Sequence, residues 1–325
     1  MSRPNEGRLV VTGALGHIGS RLIRSLPAGR YTEVLLLDNL STQRYCSLFD
    51  LPTEIPFRFK EADICKEVLE PHLEGAEAVV HLAAITNAAG SFQIQEQVEE
   101  VNFRGTQRMA EACRNAGVPL LFLSTTSVYG TQSDVVDEDC PPDELQPQSP
   151  YAASKLRAEQ MLQGMAEGLD FVVCRFGTIY GASIGMRFHT AVNRFVWSAC
   201  LGEPLPVWRT ALNQKRPYLD LGDAVRAIDF LLSERRFDRR IYNVLTDNAS
   251  VAEIVDAIRE FVPDVRIELV DSAIMNQLSY TVRNERFRAL GFEFRGSLRE
   301  GIERSVALLR SVRFGAAMPQ AVDPT

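Results

Sequence analysis

Two side chains suited to proton transfer stand four residues apart at the start of a predicted helix. Tyr151 and Lys155 follow Pro150, a residue that favours the first turn of a helix. Because positions i and i+4 lie on one face of a helix, Lys155 is expected beneath the hydroxyl of Tyr151. A nearby cation lowers the pKa of a phenol, which is otherwise about 10 and too high for a base at neutral pH. The pair predicts a general base, although two solvated residues on an exposed helix have the same spacing.

Hydroxyl groups follow the strand predicted at residues 120–123. Ser124, Thr125, Thr126 and Ser127 come directly after it. The carboxyl ends of strands are where open α/β sheets bind ligands. These hydroxyls therefore predict a site that hydrogen-bonds a polar substrate, with an ordinary Ser/Thr turn as the alternative.

Three glycines bridge the first predicted strand, residues 9–11, to a helix that is expected to run to about residue 26. Gly13, Gly16 and Gly19 permit a tight turn and let backbone N–H groups approach a pyrophosphate. Asp38 closes the next predicted strand, where an acid bonds both hydroxyls of an adenosine ribose. Because an acid there repels a 2′-phosphate, this pattern favours NAD over NADP; a turn residue is the alternative for Asp38.

Strands and helices alternate through the first half of the chain. Further strands are predicted at 57–59, 78–82 and 171–174, with a long helix over 93–116 and a shorter one from Asp63 to about residue 73. This alternation predicts a doubly wound parallel sheet of the Rossmann type. We expect His81 in the hydrophobic core. Asp63 could serve only as the N-cap of the helix that follows it.

The regular rhythm breaks after Arg175, which predicts a smaller, mostly α C-terminal substrate domain. We expect residues 1–175 and about 213–247 to form the NAD-binding domain. The substrate domain would comprise about 176–212 and 248–314, and residues 315–325 are expected to be a disordered tail.

Composition narrows the classes of function. The 325 residues are 46% hydrophobic and carry a net charge of −7, which argues against a nucleic-acid partner. The apolar runs are too short to cross a bilayer and no leader is evident, so a cytoplasmic location without a membrane partner is expected. Six scattered cysteines predict reduced thiols, and four scattered histidines make no case for a metal site.

Taken together and in order, these motifs resemble the extended short-chain dehydrogenases/reductases. They are the glycine loop, Asp38, Asp63-Ile64, His81-Leu82-Ala83-Ala84, Ser124 to Gly130 and Tyr151 with Lys155. More narrowly, the chain is similar to the NAD-dependent nucleotide-sugar epimerases and dehydratases, such as UDP-glucose 4-epimerase. The similarity extends over about residues 8–310.

The resemblance implies NAD as cofactor and a role for each matching residue. The implied cofactor-binding residues are Gly13, Gly16, His17, Ile18, Gly19, Asp38, Asn39, Asp63, Ile64, Leu82, Ala83, Ala84, Asn102, Tyr151, Lys155 and Phe176. The implied substrate-binding residues are Thr86, Thr125, Thr126, Thr178, Arg187, Arg216 and Ser279. Residues 185–189 are expected near the nucleotide base of the substrate.

In the implied mechanism, Tyr151 is the base, Lys155 tunes its pKa and Thr125 hydrogen-bonds the reacting sugar oxygen. A proton leaves a sugar hydroxyl for Tyr151 while a hydride leaves the same carbon for NAD. In an epimerase the keto sugar turns over and the hydride returns to its other face, so NAD is regenerated in place. Helices around 93–116 and 151–167 are expected to pair two copies into a homodimer.

The residues after Thr125 bear on which reaction occurs. Family dehydratases and decarboxylases have a glutamate there, whereas this chain has Thr126 and Ser127. We therefore expect epimerisation, at carbon 4 of the sugar. A reductase of 4-keto nucleotide sugars and a catalytically silent dinucleotide sensor are the alternatives. Many epimerases have an asparagine at the position of Thr178, so the identity of the substrate sugar stays undecided. A small residue at Ser279 would admit a bulky substituent on that sugar.

Overall fold

The computed structural model describes residues 7–130, 134–271 and 279–309. Seven parallel strands form the main sheet in the order β11-β7-β5-β4-β1-β2-β3. In chain order the strands are β1 (Arg8–Thr12), β2 (Glu33–Asp38), β3 (Phe57–Glu61), β4 (Ala76–His81), β5 (Leu120–Thr125), β6 (Val135–Val136), β7 (Phe171–Phe176), β8 (Thr178–Tyr180), β9 (Leu205–Trp208), β10 (Lys215–Asp220), β11 (Ile241–Val244), β12 (Asp247–Ser250), β13 (Ile267–Val270) and β14 (Thr281–Val282). The predicted doubly wound sheet is confirmed, and its strand order reverses between β1 and β4.

Helices cover both faces of this sheet. In chain order the described helices are α1 (His17–Leu22), α2 (Glu70–Leu73), α3 (Gln95–Val98), α4 (Gly105–Ala116), α5 (Pro150–Gly164), α6 (Ala191–Cys200), α7 (Leu221–Ser233), α8 (Val251–Arg259), α9 (Glu285–Arg288) and α10 (Leu298–Leu309), of which α1 and α7 pack on one face of the sheet and α2, α4 and α5 on the other. Successive β1 residues supply opposite cores: Leu9 and Val11 enter one cluster and Val10 the other. A strand buried on both faces reads as a continuous apolar run, which is why these strands are visible in the sequence.

The long helix predicted over 93–116 is present with a change of pitch. A π-helical segment, Glu99–Arg104, joins α3 to α4 without a break. Gly117 ends the helix in the left-handed conformation, with φ of 65°, and Val118 N–H bonds back to the Cys113 carbonyl at 2.9 Å. The predicted stop at Gly117 is therefore confirmed.

Two predicted helices are shorter than expected. After Asp63 the helix is limited to Glu70–Leu73, because the Asp63 carboxylate accepts the Cys65 N–H at 3.0 Å and folds a local turn. Helix α1 ends at Leu22, and single turns continue the chain to Leu26. Both differences concern helix ends, where side-chain hydrogen bonds compete with the helix.

A third apolar core lies apart from the main sheet. Tyr180, Ile254 and Ile302 are buried in it, and α6, α8 and α10 surround it. Strands β8, β10 and β12 form a smaller sheet, so β10 lies outside the main sheet. The division into two domains stays a prediction, and the expected tail at 315–325 lies outside the described residues.

Two further expectations concern the chain as a whole. All six cysteines lie in the described ranges and carry free thiols. In those ranges no helix combines the length and the apolar character needed to cross a bilayer. The cytoplasmic location stays a prediction.

Candidate active site

Thr125, Tyr151 and Lys155 meet where strand β5 ends beside the first turns of α5. Ser149 starts that helix by accepting the Ala152 N–H at 3.2 Å, and Pro150 occupies its first position. The Thr125 hydroxyl, at the last residue of β5, hydrogen-bonds the Tyr151 phenol. The hydroxyl groups of the two residues therefore lie side by side, where a base and a hydroxyl that orients the substrate could reach the same substrate oxygen.

Lys155 is buried beneath this pair, with 2% of its surface exposed. Its ammonium donates to the Leu123 carbonyl at 2.8 Å and lies 4.6 Å from the centre of the Phe122 ring. Burial lowers the pKa of Lys155 to about 7, and the carboxylate of Glu159 opposes that shift. The ammonium is thus stabilised by the Leu123 carbonyl of β5 and by the Glu159 carboxylate, which lies one turn further along α5.

Three effects act on the pKa of Tyr151. Burial raises this pKa, while the Thr125 hydrogen bond and the charge of Arg187 lower it. The ammonium of Lys155 donates to the Leu123 carbonyl. The role of Lys155 in tuning the Tyr151 pKa stays a prediction.

A buried ion pair supports the helix that bears Tyr151 and Lys155. Three nitrogen–oxygen contacts of 2.7 to 3.1 Å join the Arg175 guanidinium to Glu159, and both side chains are at most 3% exposed. Ser124 also donates to Glu159, and Arg175 donates to the Tyr129 hydroxyl at 2.8 Å. The pair therefore ties α5 to β5 and β7 directly behind Lys155.

The glycine loop packs at the point where the strand order reverses. Gly13 has φ of +63°, and a Cβ there would lie 2.6 Å from the Ala83 nitrogen, so only glycine fits. A Cβ on Gly19 would meet the Ala14 carbonyl oxygen at 2.5 Å. The Asp38 carboxylate accepts N–H groups from Leu15 at 3.1 Å and from Leu40 at 3.0 Å. This cradle fits a dinucleotide, with the Asp38 acid at one end and Lys155 at the other.

Asn102 is fully buried and its amide is used within the protein. It accepts the Ile85 N–H at 2.8 Å, donates to the Ile85 carbonyl at 2.9 Å and donates to Ser154 at 3.2 Å. Asn102 therefore holds the segment after β4 against α5, and its contact with the cofactor stays a prediction. The other cofactor residues expected from the sequence stay predictions.

Phe176 and Thr178 lie beside the hydroxyl-rich end of β5. Phe176 pairs in register with Thr125 and is 4% exposed, and Thr126 donates to its carbonyl at 3.3 Å. Thr178 begins β8, two residues further on. Phe176 thus lies beside Thr125, and its role as a cofactor residue stays a prediction.

Tyr280 connects the C-terminal segment to the site and was not expected from the sequence. Its hydroxyl donates to the Thr126 carbonyl at 3.1 Å, and the Arg216 guanidinium lies 5.1 Å from the centre of its ring. Ser279 is exposed and accepts the Lys215 N–H at 3.0 Å. Tyr280, rather than Ser279, is therefore the residue of this segment that reaches the hydroxyl cluster.

Residues 185–189 contact the glycine loop and the segment after β4. Gly185 packs against the glycine loop, with its N–H donating to Ser20 at 3.0 Å, and Arg187 donates to Thr86. The segment therefore lies along the expected cofactor site, and its place near the nucleotide base of the substrate stays a prediction.

His81 is a core residue, as expected. Its ring nitrogens bond to Thr12 at 2.8 Å and to Thr106 at 3.1 Å, and it is fully buried. Burial lowers the pKa of His81 from 6.5 to about 3, and the charge of Lys155 adds to that shift. The folded protein therefore keeps this imidazole neutral where the unfolded chain would bind a proton.

Acid should destabilise the protein through His81. Its contribution to stability is present above pH 6.5 and is lost as the pH falls below that value, by about 2 kcal/mol at pH 5. Urea unfolding of wild type and His81→Gln at pH 7 and pH 5 tests this. We expect the loss of stability between the two pH values to be smaller in the variant by about that amount. An equal loss in both proteins would show that His81 is not the group that titrates.

Comparison with known proteins shows the family of this chain. The model of the NAD dependent epimerase/dehydratase family matches residues 9–244. The chain belongs to this family. The predicted family, fold and cofactor are therefore confirmed, and the cofactor of the family is NAD.

Similar proteins include both dehydratases and epimerases. The trifunctional UDP-glucose 4,6-dehydratase, 3,5-epimerase and 4-keto-L-rhamnose reductase of Arabidopsis thaliana is 29% identical over 321 residues, which is 92% of this chain and 46% of that protein. This chain thus spans about half the length of that relative. MoeE5 in complex with UDP-glucuronic acid and NAD is 29% identical with a TM-score of 0.81, and the match covers 94% and 99% of the two chains. Thermus thermophilus UDP-glucose 4-epimerase in complex with NAD is 27% identical with a TM-score of 0.80, covering 94% and 100%.

Proposed function

We propose that this protein epimerises a nucleotide-linked sugar at carbon 4 with NAD. The observation that carries the proposal is the hydrogen bond between Thr125 and Tyr151, followed in the chain by Thr126 and Ser127. Elimination of water from a sugar needs an additional acid or base beside this pair. Neither residue after Thr125 is a carboxylate, so the site supports proton removal without elimination.

Each residue of the site then has a task in the proposed reaction. Thr125 orients the carbon-4 hydroxyl toward Tyr151, and the Tyr151 phenolate takes its proton. Arg187 favours that phenolate by its charge, and buried Lys155 provides the cation beneath the ribose end of the cofactor. When bound, NAD supplies the chemistry that the side chains lack, accepting and returning a hydride. Phe176 closes the wall beside Thr125 and excludes water from that exchange.

We propose a UDP-linked hexose or hexuronic acid as the substrate. MoeE5, the similar protein above, has been crystallised with UDP-glucuronic acid and with UDP-glucose. In this chain Arg216, held against Tyr280, would bind the diphosphate, because a guanidinium fork suits phosphate oxygens. The hydroxyls of Thr126 and Thr178 would bind the sugar.

A second copy of the chain is the proposed partner of the α3–α5 face. A groove of about 870 Å³ lies between these helices, lined by Glu96, Glu99, Pro147, Ser154 and Arg157 among others. Pairing through helices around 93–116 and 151–167 would cover this groove and hold α5, which bears Tyr151, in place.

Analysis of the protein as purified tests the proposal first. The protein is denatured and removed, and the released dinucleotide is identified by chromatography and absorbance. Near-stoichiometric NAD is expected, because a cofactor regenerated at each turnover need not leave. An empty site that prefers NADPH on titration would contradict epimerisation and favour reduction of a 4-keto nucleotide sugar.

A further inference from the structure

The segment from Ser183 to His189, here called the strap, runs from the end of β8 toward α6. At one end the Ser183 hydroxyl lies 2.8 Å from Nδ1 of His17 and donates to the His17 carbonyl at 2.9 Å. His17 belongs to the glycine loop, more than 160 residues away in the chain (183 − 17 = 166). The strap is therefore hydrogen-bonded to the glycine loop through both the side chain and the backbone carbonyl of His17.

Close packing continues along the strap. The Gly185 N–H donates to Ser20 at 3.0 Å, and a Cβ on Gly185 would lie 2.4 Å from the Leu15 carbonyl oxygen and 2.6 Å from that of Gly16. Any larger residue at 185 would push the strap off the glycine loop. Glycine here serves the close approach of two backbones rather than a turn.

The other end of the strap reaches across the crevice. Arg187 donates to the Thr86 hydroxyl, in the segment that follows β4. The glycine loop follows β1, and the strand order reverses between β1 and β4. The strap thus bridges the crevice in which doubly wound sheets bind their ligands.

Positive groups gather beneath the strap. Arg44, from the loop after β2, lowers the pKa of Arg187 and of His17 by its charge, and burial is the larger cause in both. Burial also lowers the pKa of Arg44. The Asp38 carboxylate acts in the opposite direction and raises the pKa of both Arg44 and Arg187. Like charges held together in a buried crevice are unfavourable until an anion lies among them.

Two buried nitrogen atoms beneath the strap have no hydrogen-bond partner among the described residues. They are Nη1 of Arg44 and Nε2 of His17. Leaving such groups unpaired costs free energy. Since the single Ser183 hydroxyl proton goes to the His17 carbonyl, Nδ1 of His17 donates to Ser183 and Nε2 is an acceptor. Of the two atoms, the Arg44 nitrogen is therefore the one whose hydrogen bond a bound acceptor would supply.

The position of Arg187 fixes which anion fits. Two acidic side chains raise the pKa of Arg187: Tyr151, at the reacting end of the cradle, and Asp38, at its adenosine end. The group of NAD that lies midway between its two ribose ends is the diphosphate. We propose that the strap closes over the bound dinucleotide and that Arg44 and Arg187 hold its diphosphate there. Arg187 is then a cofactor residue, and not the substrate residue expected from the sequence.

Retention of NAD without any sugar nucleotide tests this proposal. Arg44→Gln and Ser183→Ala are loaded with NAD, and its dissociation is followed by rapid gel filtration and by the fluorescence of bound NADH. Loss of a charge-assisted hydrogen bond should speed dissociation about 10- to 100-fold for Arg44→Gln. Arg44→Lys, which keeps the charge, should lie between. Arg21→Gln, an exposed arginine on α1, is the matched control and should retain NAD like wild type.

The outcomes separate this proposal from the proposed reaction. NAD is the family's cofactor whichever sugar reaction occurs, so dissociation is measured without assuming epimerisation. Unchanged NAD retention in both variants, with a raised KM for the sugar nucleotide, would assign the strap to the substrate and overturn the proposal. Thermal unfolding without NAD checks that each variant is folded, so a general loss of structure is not mistaken for a lost contact.

Discussion

Tyr151→Phe is expected to lower kcat by about 10³-fold while the purified protein keeps its NAD. The variant removes one oxygen from a ring that stays in place on α5, so the cradle formed by the glycine loop and Asp38 is untouched. What it loses is the group that accepts the sugar proton beside Thr125. Turnover of a UDP-sugar and NAD content are measured on the same preparation.

Tyr242→Phe is the matched control for that variant. Tyr242 donates to Asp238 at 2.6 Å from β11, the edge strand of the main sheet. The Tyr242→Phe variant also loses one hydrogen-bonded phenol hydroxyl, but this hydroxyl lies away from Thr125. We therefore expect the variant to keep near wild-type turnover. Retention of more than a tenth of the activity by Tyr151→Phe would rule out Tyr151 as the base.

Glu159→Gln is expected to destabilise the folded protein by about 3 to 5 kcal/mol. The substitution removes the carboxylate that pairs with Arg175 and leaves a guanidinium buried without its counter-charge. It also removes the charge that opposes the lowering of the Lys155 pKa, so that pKa should fall further. The free energy of unfolding in urea gives the first effect, and the pH dependence of NAD binding gives the second.

An exposed ion pair away from the α3–α5 face provides the control. Arg239 bonds to Asp170 at 2.8 Å, with side chains 47% and 62% exposed. Because water screens such a pair, Asp170→Asn should cost about 0.2 to 1 kcal/mol. The double variant Glu159→Leu/Arg175→Leu should recover part of the loss seen in Glu159→Gln, since neither member of the buried pair then remains without the other. Equal costs for Glu159→Gln and Asp170→Asn would show that burial does not make the loss of an ion pair more costly here.

The sheet and the helix shared by Tyr151 and Lys155 could be predicted because their signals are local. A strand buried on both faces is a short apolar run, and Tyr151 and Lys155 lie on one helical face at a fixed spacing. The glycines were recognisable because Gly13 needs both a positive φ and room for the backbone of Ala83. Each of these features follows from a few consecutive residues.

The features that sequence analysis missed all depend on distant contacts. Glu159 was visible only as a polar residue in a helix, and its partner Arg175 lies on another element. Tyr280 meets Thr126 across 154 residues (280 − 126 = 154). Lys155 donates to the Leu123 carbonyl, 32 residues away in the chain, which the spacing of Tyr151 and Lys155 does not reveal. Spacing shows which residues share a face, whereas tertiary packing decides which of them touch.

The most direct test of the account uses a UDP-sugar carrying deuterium at carbon 4, with no cofactor added. UDP-glucuronic acid and UDP-glucose are the first substrates to try, and the products are followed by NMR. The account predicts the carbon-4 epimer with the deuterium still at carbon 4, because the hydride that leaves this carbon returns to it within the closed site. Washout of the deuterium into water, loss of water from the sugar, or a product that forms only when NADPH is consumed would contradict it.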